Sequence, residues 1–184
     1  MVFTKDRYDS VAITLHWVMA IAILLMLGSG VTMKYLDIAK SLKFNMYQWH
    51  KSLGVILLVA FFLRLSWRLA HKPPLLPISM GDHEILMAKV GHWLLYLLMI
   101  IMPLSGWFLV SSSVYGLPTI VFGLFQWPHI PNLSGNEMIG SGARATHFYS
   151  AIFLAILIIG HVGAVIMHYI HQKENILKRM WWSK

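Results

Sequence analysis

Residues 145–172 read ATHFYSAIFLAILIIGHVGAVIMHYIHQ and contain no Asp, Glu, Lys or Arg. A transmembrane helix needs about 20 consecutive, predominantly apolar residues, so this stretch is long enough to cross a bilayer. It also contains His147 and His161. Polar rings within an apolar span are rare and usually functional. This stretch therefore predicts a membrane helix with two candidate site residues.

Three more apolar stretches precede it, at 10–33, 46–69 and 90–112. The whole chain of 184 residues is 58% hydrophobic and only 12% charged, which is too apolar for an ordinary soluble domain. Proline inside a helix removes a hydrogen bond, so we expect a kink at Pro103. We predict an all-α integral membrane protein in which residues 1–184 form one domain, a bundle of four transmembrane helices.

Two connections are long enough to describe. Residues 71–82 include Pro73, Pro74 and Pro77, which cannot continue a helix, so this segment is predicted to be a surface loop. Residues 114–143 alternate large aromatic side chains with Gly and Pro. We expect this segment to lie in the membrane interface and to cover part of the bundle.

The distribution of basic residues predicts the orientation of the bundle. The side with both termini and the second connection holds ten, which are Lys5, Arg7, Arg64, Arg68, Lys72, Lys89, Lys173, Lys178, Arg179 and Lys184. The opposite side holds five, which are Lys34, Lys40, Lys43, Lys51 and Arg144. Both termini are therefore predicted to be cytoplasmic. Anchoring to lipid head groups accounts for the net charge of +8, and no nucleic-acid partner is predicted.

Four histidines form the candidate site. His147 and His161 are 14 residues apart, so they share a helix face at depths about 21 Å apart. His16 lies near the inner end of span one, and His50 lies at the outer start of span two. Depth therefore pairs His16 with His161 and His50 with His147. Two stacked metal sites fit this arrangement.

The residue types narrow the choice of metal group. The chain has no cysteine, which excludes covalent haem attachment through C-x-x-C-H and thiolate iron–sulfur clusters. Non-covalent haem held by paired histidines is the sharpest interpretation. A metal-ion transporter ranks low, because the spans contain no Asp or Glu to neutralise a permeating cation.

Two other residues repeat the 14-residue spacing. Gly30 follows His16, and Arg64 follows His50, by 14 positions. Gly30 would leave room beside the outer haem, and Arg64 would suit a propionate of the inner haem. A helix-packing glycine and a snorkelling arginine are the alternatives.

The remaining histidines in the spans have weaker assignments. His92 lies at a depth where it competes with His16 as an iron ligand, although a capping or interfacial role is favoured. His168 follows His161 by seven residues and shares its face, so it is a candidate to bind a quinone. His168 and His171 are three residues apart, which also allows a metal pair or two rings among the head groups.

An ordered set of motifs resembles those of one known family, the prokaryotic di-haem cytochrome b561 proteins. The motifs are Arg7-Tyr8, Ile13-Thr14-Leu15-His16-Trp17, Trp49-His50-Lys51-Ser52-Leu53-Gly54, Gly91-His92-Trp93-Leu94-Leu95-Tyr96, Thr146-His147, and Gly160-His161 followed by His168. The resemblance covers essentially the whole chain. It implies two molecules of haem b ligated from spans one, two and four, with His92 not a ligand, in the inner membrane of a bacterium.

The resemblance also implies a function. Members of this family exchange electrons with the quinone pool, and the bacterial superoxide oxidase oxidises superoxide at the outer face and reduces ubiquinone. We therefore predict catalytic roles for Lys51 and Arg144, which flank the outer haem and attract an anion, and for His168 at the quinone. The alternative is an electron-carrier subunit that links a partner dehydrogenase or hydrogenase to the quinone pool.

Overall fold

The computed structural model describes residues 7–75, 80–171 and 175–182. Its four long helices are α1 (Ser10–Tyr35), α2 (Lys40–Ala70), α3 (Asp82–Ser111) and α4 (Glu137–His171). Each is long and apolar enough to cross a membrane. The chain is thus a four-helix membrane bundle, as the sequence predicts. Lys5, Pro77, Gln172, Lys173 and Lys184, which were used in the predictions above, lie outside the described residues.

The helices extend beyond the apolar spans that mark them in the sequence. α2 begins at Lys40 rather than 46, α3 at Asp82 rather than 90, and α4 at Glu137 rather than 145. Hydropathy marks only the part of a helix that lies in hydrocarbon, whereas local capping allows the helix to continue in the head-group region. At the start of α3, the Glu84 carboxylate accepts a hydrogen bond from the Gly81 N–H at 2.9 Å.

The four helices form two antiparallel hairpins. α1 packs mainly on α2, α3 packs most extensively on α4, and α2 also contacts α3. Among the described residues few apolar side chains are buried, and Ile13, Phe61 and Leu154 are three of them. Many apolar side chains face outward instead, and Ile159, at the middle of α4, is 73% exposed. The bundle therefore needs lipid around it to bury its apolar surface.

The two ends of the bundle differ. A short 3-10 helix, Ile176–Met180, packs where α1 begins, because the Tyr8 N–H donates to the Arg179 carbonyl at 3.1 Å. The Trp17 indole also donates to the Met180 carbonyl at 2.7 Å. The described parts of both termini thus lie at one end of the bundle. We call it the inner end and the opposite one the outer end.

The outer end has a β-hairpin that the all-α prediction did not include. Strands β1 (Thr119–Val121) and β2 (Phe125–Trp127) pair antiparallel within the segment 114–143. The hairpin packs on α2, where the buried Ser52 hydroxyl lies 3.0 Å from the Ile120 carbonyl oxygen and accepts from the Phe122 N–H at 3.2 Å. The segment thus covers part of the bundle, as expected.

Candidate functional site

The four predicted histidines meet in two pairs between the helical hairpins. His50 of α2 faces His147 of α4, with ring centres 6.2 Å apart and ring planes at 68°. His16 of α1 faces His161 of α4, with ring centres 6.3 Å apart and planes at 64°. Each pair joins the α1–α2 hairpin to the α3–α4 hairpin, one pair toward each end. The structure therefore brings together the residues that the sequence pairs by depth.

The spacing within each pair fits one metal ion between the rings. A metal–imidazole nitrogen bond is about 2.0 Å long and the ring centre lies roughly 1 Å further on, so trans imidazoles on one ion have centres about 6 Å apart. Both pairs match this value. An iron ion that is already held by a porphyrin can take two further nitrogen ligands from a protein, and each histidine pair offers two.

A serine of α1 orients the first outer histidine. The Ser29 hydroxyl donates to the Met26 carbonyl at 2.9 Å, so it accepts from the His50 Nδ1–H at 2.8 Å. His50 then carries its proton on Nδ1 and presents the lone pair of Nε2, as a histidine that binds a metal through Nε2 must. On the same helix, a Cβ added to Gly30 would lie 3.9 Å from the ring carbon Cε1 of His50. Gly30 therefore lies beside the outer pair.

The second outer histidine has the same kind of surroundings on α3. His147 Nδ1 lies 3.0 Å from the Met102 carbonyl and 3.1 Å from the hydroxyl of the buried Ser105. A Cβ added to Gly106 would lie only 3.3 Å from Cε1 of the His147 ring. Ser105 and Gly106 were not predicted as site residues, and neither was Ser29. Both neighbours belong to Ser-Gly dipeptides, at 29–30 and 105–106, but the same dipeptide also occurs at 134–135 and 141–142, so it does not by itself mark the site.

The inner pair lies against an arginine. Arg64 Nη2 lies 3.2 Å from His16 Nδ1, and Arg64 Nη1 donates to the Ala12 carbonyl at 3.3 Å. A guanidinium can only donate, so His16 accepts at Nδ1 and carries its proton on Nε2. His16 and His50 therefore have opposite tautomers.

A third imidazole adjoins the inner pair. The ring centres of His92 and His161 are 5.6 Å apart at 79°, and His92 Nδ1 lies 2.6 Å from the Ala88 carbonyl. His92 thus lies near enough to His161 to compete with His16, as its depth in the sequence suggested. The ring-centre distance and interplanar angle of His92 and His161 differ from those of the His16–His161 and His50–His147 pairs, which are nearly equal to each other.

The three predicted catalytic residues lie at the two ends of the bundle. Lys51 Nζ donates to the Pro118 carbonyl at 2.8 Å, so this ammonium also holds the outer connection. Arg144 is exposed on α4, one turn before His147. His168 is half-buried near the inner end of α4, two turns beyond His161. Lys51 and Arg144 thus flank the outer pair, and His168 lies beyond the inner pair.

A basic cleft opens at the inner end. Its lining includes the cationic side chains of Arg7, Arg64, Arg68 and Lys72 together with one carboxylate, Asp9. Asp9 is already hydrogen-bonded to the Ala12 N–H at 3.0 Å and to the Trp67 indole at 2.9 Å. The cleft is therefore suited to an anionic group.

The chain is similar in sequence to known proteins over nearly its whole length. Residues 7–183 match the family described as prokaryotic cytochrome b561. The chain is 30% identical to cytochrome b561 homolog 2 of Escherichia coli over 96% of its own length and 92% of the relative's. It is 27% identical to the probable superoxide oxidase CybB of Yersinia pestis over 97% of each chain, and 23% identical to cytochrome b561 homolog 1 of Escherichia coli over 95% and 97%.

The family match covers all four helices and both histidine pairs. The apolar surface of the bundle and the fit of each pair to one iron ion agree with it. The chain belongs to the prokaryotic cytochrome b561 family, and it is a multi-pass bacterial membrane protein of electron transport that takes b-type haem.

Proposed function

We propose that this protein is a di-haem cytochrome b that oxidises superoxide at the periplasmic face of the inner membrane and reduces ubiquinone. The main observation in its favour is the presence of two histidine pairs with nearly the same ring spacing and angle, one toward each end of the bundle. When bound, haem b would supply one-electron transfer, and a histidine pair would hold each haem in a way that favours electron transfer over oxygen binding. Two superoxide anions give up two electrons and leave as O2, and one ubiquinone takes these electrons with two protons.

The proposed ligands are His50 and His147 for the outer haem and His16 and His161 for the inner one. Hydrogen bonds at Nδ1 hold His50 and His147 in the tautomer that ligation by Nε2 requires. The shared spacing favours His16 over His92 as the partner of His161. We assign to Gly30 the role of admitting a flat ring close to α1, because its missing side chain faces His50.

Arg64 has two roles in this proposal. A carboxylate bound in the basic cleft would attract the Arg64 guanidinium and draw it away from His16. His16 would then be able to move its proton from Nε2 to Nδ1 and to offer the Nε2 lone pair as a ligand. Arg64 thus couples occupation of the cleft to the correct tautomer of an inner ligand.

The outer end carries the charges that attract an anion. Lys51 and Arg144 flank the outer pair, and Lys34, Lys40 and Lys43 extend the positive field, which Asp37 and Glu137 partly offset. A positive field of this kind raises the encounter rate of a small anion such as superoxide. The similarity to a probable superoxide oxidase supports this choice of donor.

The quinone is proposed to react at the inner end, at the cytoplasmic side. His168 lies two turns beyond His161 on α4, and we assign to it a hydrogen bond to a quinone carbonyl and the supply of a proton. The excess of basic residues near the described termini supports the cytoplasmic assignment of this end.

The test uses the purified haem-loaded protein without any partner. With superoxide generated by xanthine oxidase and a ubiquinone analogue, we expect two superoxide anions to be consumed for each quinol formed. His168→Ala should keep both haem spectra, and superoxide should still reduce both haems, but quinol should form slowly. The control is His83→Ala, which changes an exposed histidine of α3 and should form quinol at the rate of the unmodified protein. Absence of quinol formation by the unmodified protein would instead favour an electron-carrier subunit that depends on a partner dehydrogenase.

A further inference from the structure

The basic cleft at the inner end carries cations at two depths. Arg64 and Arg68 both line it and are one turn apart on the same face of α2, and Lys72 follows just after that helix ends. Arg64 is the deepest of the three and lies against His16. Arg68 and Lys72 therefore lie at the mouth of the cleft, nearer to the membrane surface.

The charges of the two cations at the mouth are not balanced by the protein around them. In the part of the chain that the structure describes, neither Arg68 nor Lys72 makes a hydrogen bond or an ion pair. The Arg68 guanidinium lies 5.5 Å from the centre of the Tyr96 ring, which leaves its N–H donors able to bind an external group. The carboxylate in the lining, that of Asp9, already accepts two hydrogen bonds. The mouth therefore attracts an anion.

The cleft is small and its walls are held in place. Its volume is about 30 Å³, which is room for about two water molecules. The Trp67 ring in its wall stacks on the His71 ring, with centres 3.9 Å apart and planes at 14°. The Arg179 guanidinium donates to the Leu75 carbonyl and so connects the 3-10 helix to the segment after α2. A group as small as a phosphate is admitted, whereas a quinone ring is too large.

The edge of the cleft meets the surface that faces lipid. Arg68 and Tyr96, on two different helices of the lining, are each followed by an exposed leucine, Leu69 at 79% and Leu97 at 48%. Met180 also lines the cleft and is followed by two partly exposed tryptophans. Tryptophan concentrates at the level of the lipid head groups. The mouth thus has head groups and acyl chains beside it.

We infer that the mouth of the basic cleft binds the phosphate of an anionic phospholipid such as phosphatidylglycerol. Arg68 and Lys72 donate to the phosphate oxygens, and the acyl chains lie along the exposed leucines. Basic pockets between membrane helices recognise anionic head groups in this way, and a guanidinium matches the geometry of a phosphate. A head group that carries its own ammonium brings positive charge toward the cations of the cleft, so choline and ethanolamine lipids bind less well. This inference concerns a bound lipid and does not depend on the proposed reaction.

The test is native mass spectrometry of the haem-loaded protein in detergent, titrated with phosphatidylglycerol or with phosphatidylcholine of the same acyl chains. We expect the first phosphatidylglycerol to bind at least about tenfold more tightly. Arg68→Gln together with Lys72→Gln should lower that affinity about tenfold or more, because hydrogen bonds to a charged group are lost. The matched control is Lys89→Gln together with Lys178→Gln, two exposed cations near the inner end that do not line the cleft.

Two further measurements complete the test. Lys72→Glu reverses a charge at an exposed position beyond α2, so it should weaken phosphatidylglycerol binding even if Arg68→Gln disturbs folding, which haem spectra and size exclusion will reveal. Inorganic phosphate in the millimolar range should not displace the lipid, because it lacks acyl chains. Equal affinity for the two lipids, an equal loss in the control variant, or displacement by inorganic phosphate would overturn the inference.

Discussion

At the scale of single residues, the two outer histidines have matching neighbours on different helices. Ser29-Gly30 of α1 and Ser105-Gly106 of α3 each put a hydroxyl near an imidazole Nδ1 and a glycine against the same ring. The serine lies next to the histidine nitrogen that must carry a proton, and the glycine leaves the space that the ring occupies. A repeated dipeptide with two functions is thus associated with the outer pair.

The sequence indicated some of these residues and not others. Hydropathy and the spacing of 14 residues were enough to pair His50 with His147 and to place Gly30 near them. They gave no indication of Ser105 or Gly106, because α3 carries neither of the paired histidines and a Ser-Gly dipeptide is common in membrane helices. Orientation of a ring depends on packing between helices that are distant in sequence, so only the structure reveals it.

Gly106 provides a steric test of the outer site. Gly106→Ala places a methyl 3.3 Å from the His147 ring, which the Met102 carbonyl and Ser105 hold in place. We expect the variant to lose outer haem, with the haem-to-protein ratio falling from about two toward one. Gly142→Ala on α4, where an added Cβ meets nothing within 4 Å, is the control. Normal haem content in Gly106→Ala would show that His147 has room to shift.

The ligand pairs themselves are tested by removing each ring. We expect His50→Ala and His147→Ala to abolish the same one of two redox transitions, and His16→Ala and His161→Ala to abolish the other. The reason is that the rings of each pair are about 6 Å apart, so we propose that each pair holds one iron ion. Potentiometric titration of purified variants measures this. Loss of a transition in His92→Ala but not in His16→Ala would move the inner ligand to α3.

At the scale of elements, the four helices were predictable and the β-hairpin was not. Charge-free apolar runs specify membrane helices strongly, because no other structure satisfies the backbone within lipid except a closed barrel. The strands β1 and β2 have three residues each, too few for alternation of polar and apolar side chains to identify a strand. They depend on tertiary hydrogen bonds to Ser52 and on the positive φ of Phe122 and Gly123. Such features have no local sequence signal.

Asp9 caps the N-terminus of α1, and the charge of its carboxylate makes the stability of the fold depend on pH. Partial burial raises the pKa of the Asp9 carboxyl, but hydrogen bonds from the Ala12 N–H and the Trp67 indole outweigh it and lower that pKa below its ordinary value. A lowered carboxyl pKa stabilises the folded state above the unfolded pKa, and this contribution is lost as the pH falls through the folded pKa. The carboxylate also links the start of α1 to α2 through Trp67.

We therefore expect Asp9→Ala to lower the free energy of unfolding at neutral pH by about 1 kcal/mol, the usual contribution of a helix cap. The difference from the unmodified protein should shrink in acid, below the ordinary pKa of an aspartate. Asp9→Asn is the control, because asparagine caps a helix well but does not titrate in this range. Unfolding in mixed micelles at several pH values measures both. A difference that stays constant with pH would assign the effect to the cap alone.

At the scale of the whole molecule, two helical hairpins enclose the two histidine pairs that we propose to form an electron relay from one end of the bundle to the other. Each hairpin supplies one histidine to each pair, so neither hairpin contains a complete site. Assembly of the bundle and formation of both sites are therefore one event, and bound haem stabilises the contact between the hairpins by mass action. The two ends of the bundle also differ chemically. The β-hairpin covers part of the outer end, whereas a basic cleft opens at the inner end.

The positive charge of the outer end supports superoxide, an anion, as the proposed electron donor. Steered association falls as salt rises, and charges within about 10 Å of a site act most strongly at 0.1 M ionic strength. Replacing Lys51 and Arg144 together by Gln should slow the reduction of haem by superoxide at least about threefold at low salt and flatten its salt dependence. Stopped-flow absorbance of the haems after mixing with superoxide measures this rate.

Two control variants distinguish an electrostatic effect of the outer charges from a local structural effect of the substitutions. Lys51→Arg keeps the charge while it changes the donor that holds the Pro118 carbonyl, so the rate should stay near that of the unmodified protein. Lys89→Gln removes an exposed charge near the inner end and should leave the rate unchanged. Reduction by an uncharged donor should be equal in all variants, because no Coulomb attraction acts on it. A rate indifferent to salt and to both outer substitutions would remove the physical basis for superoxide as the donor, and a partner protein docked at the outer end would then be the better explanation.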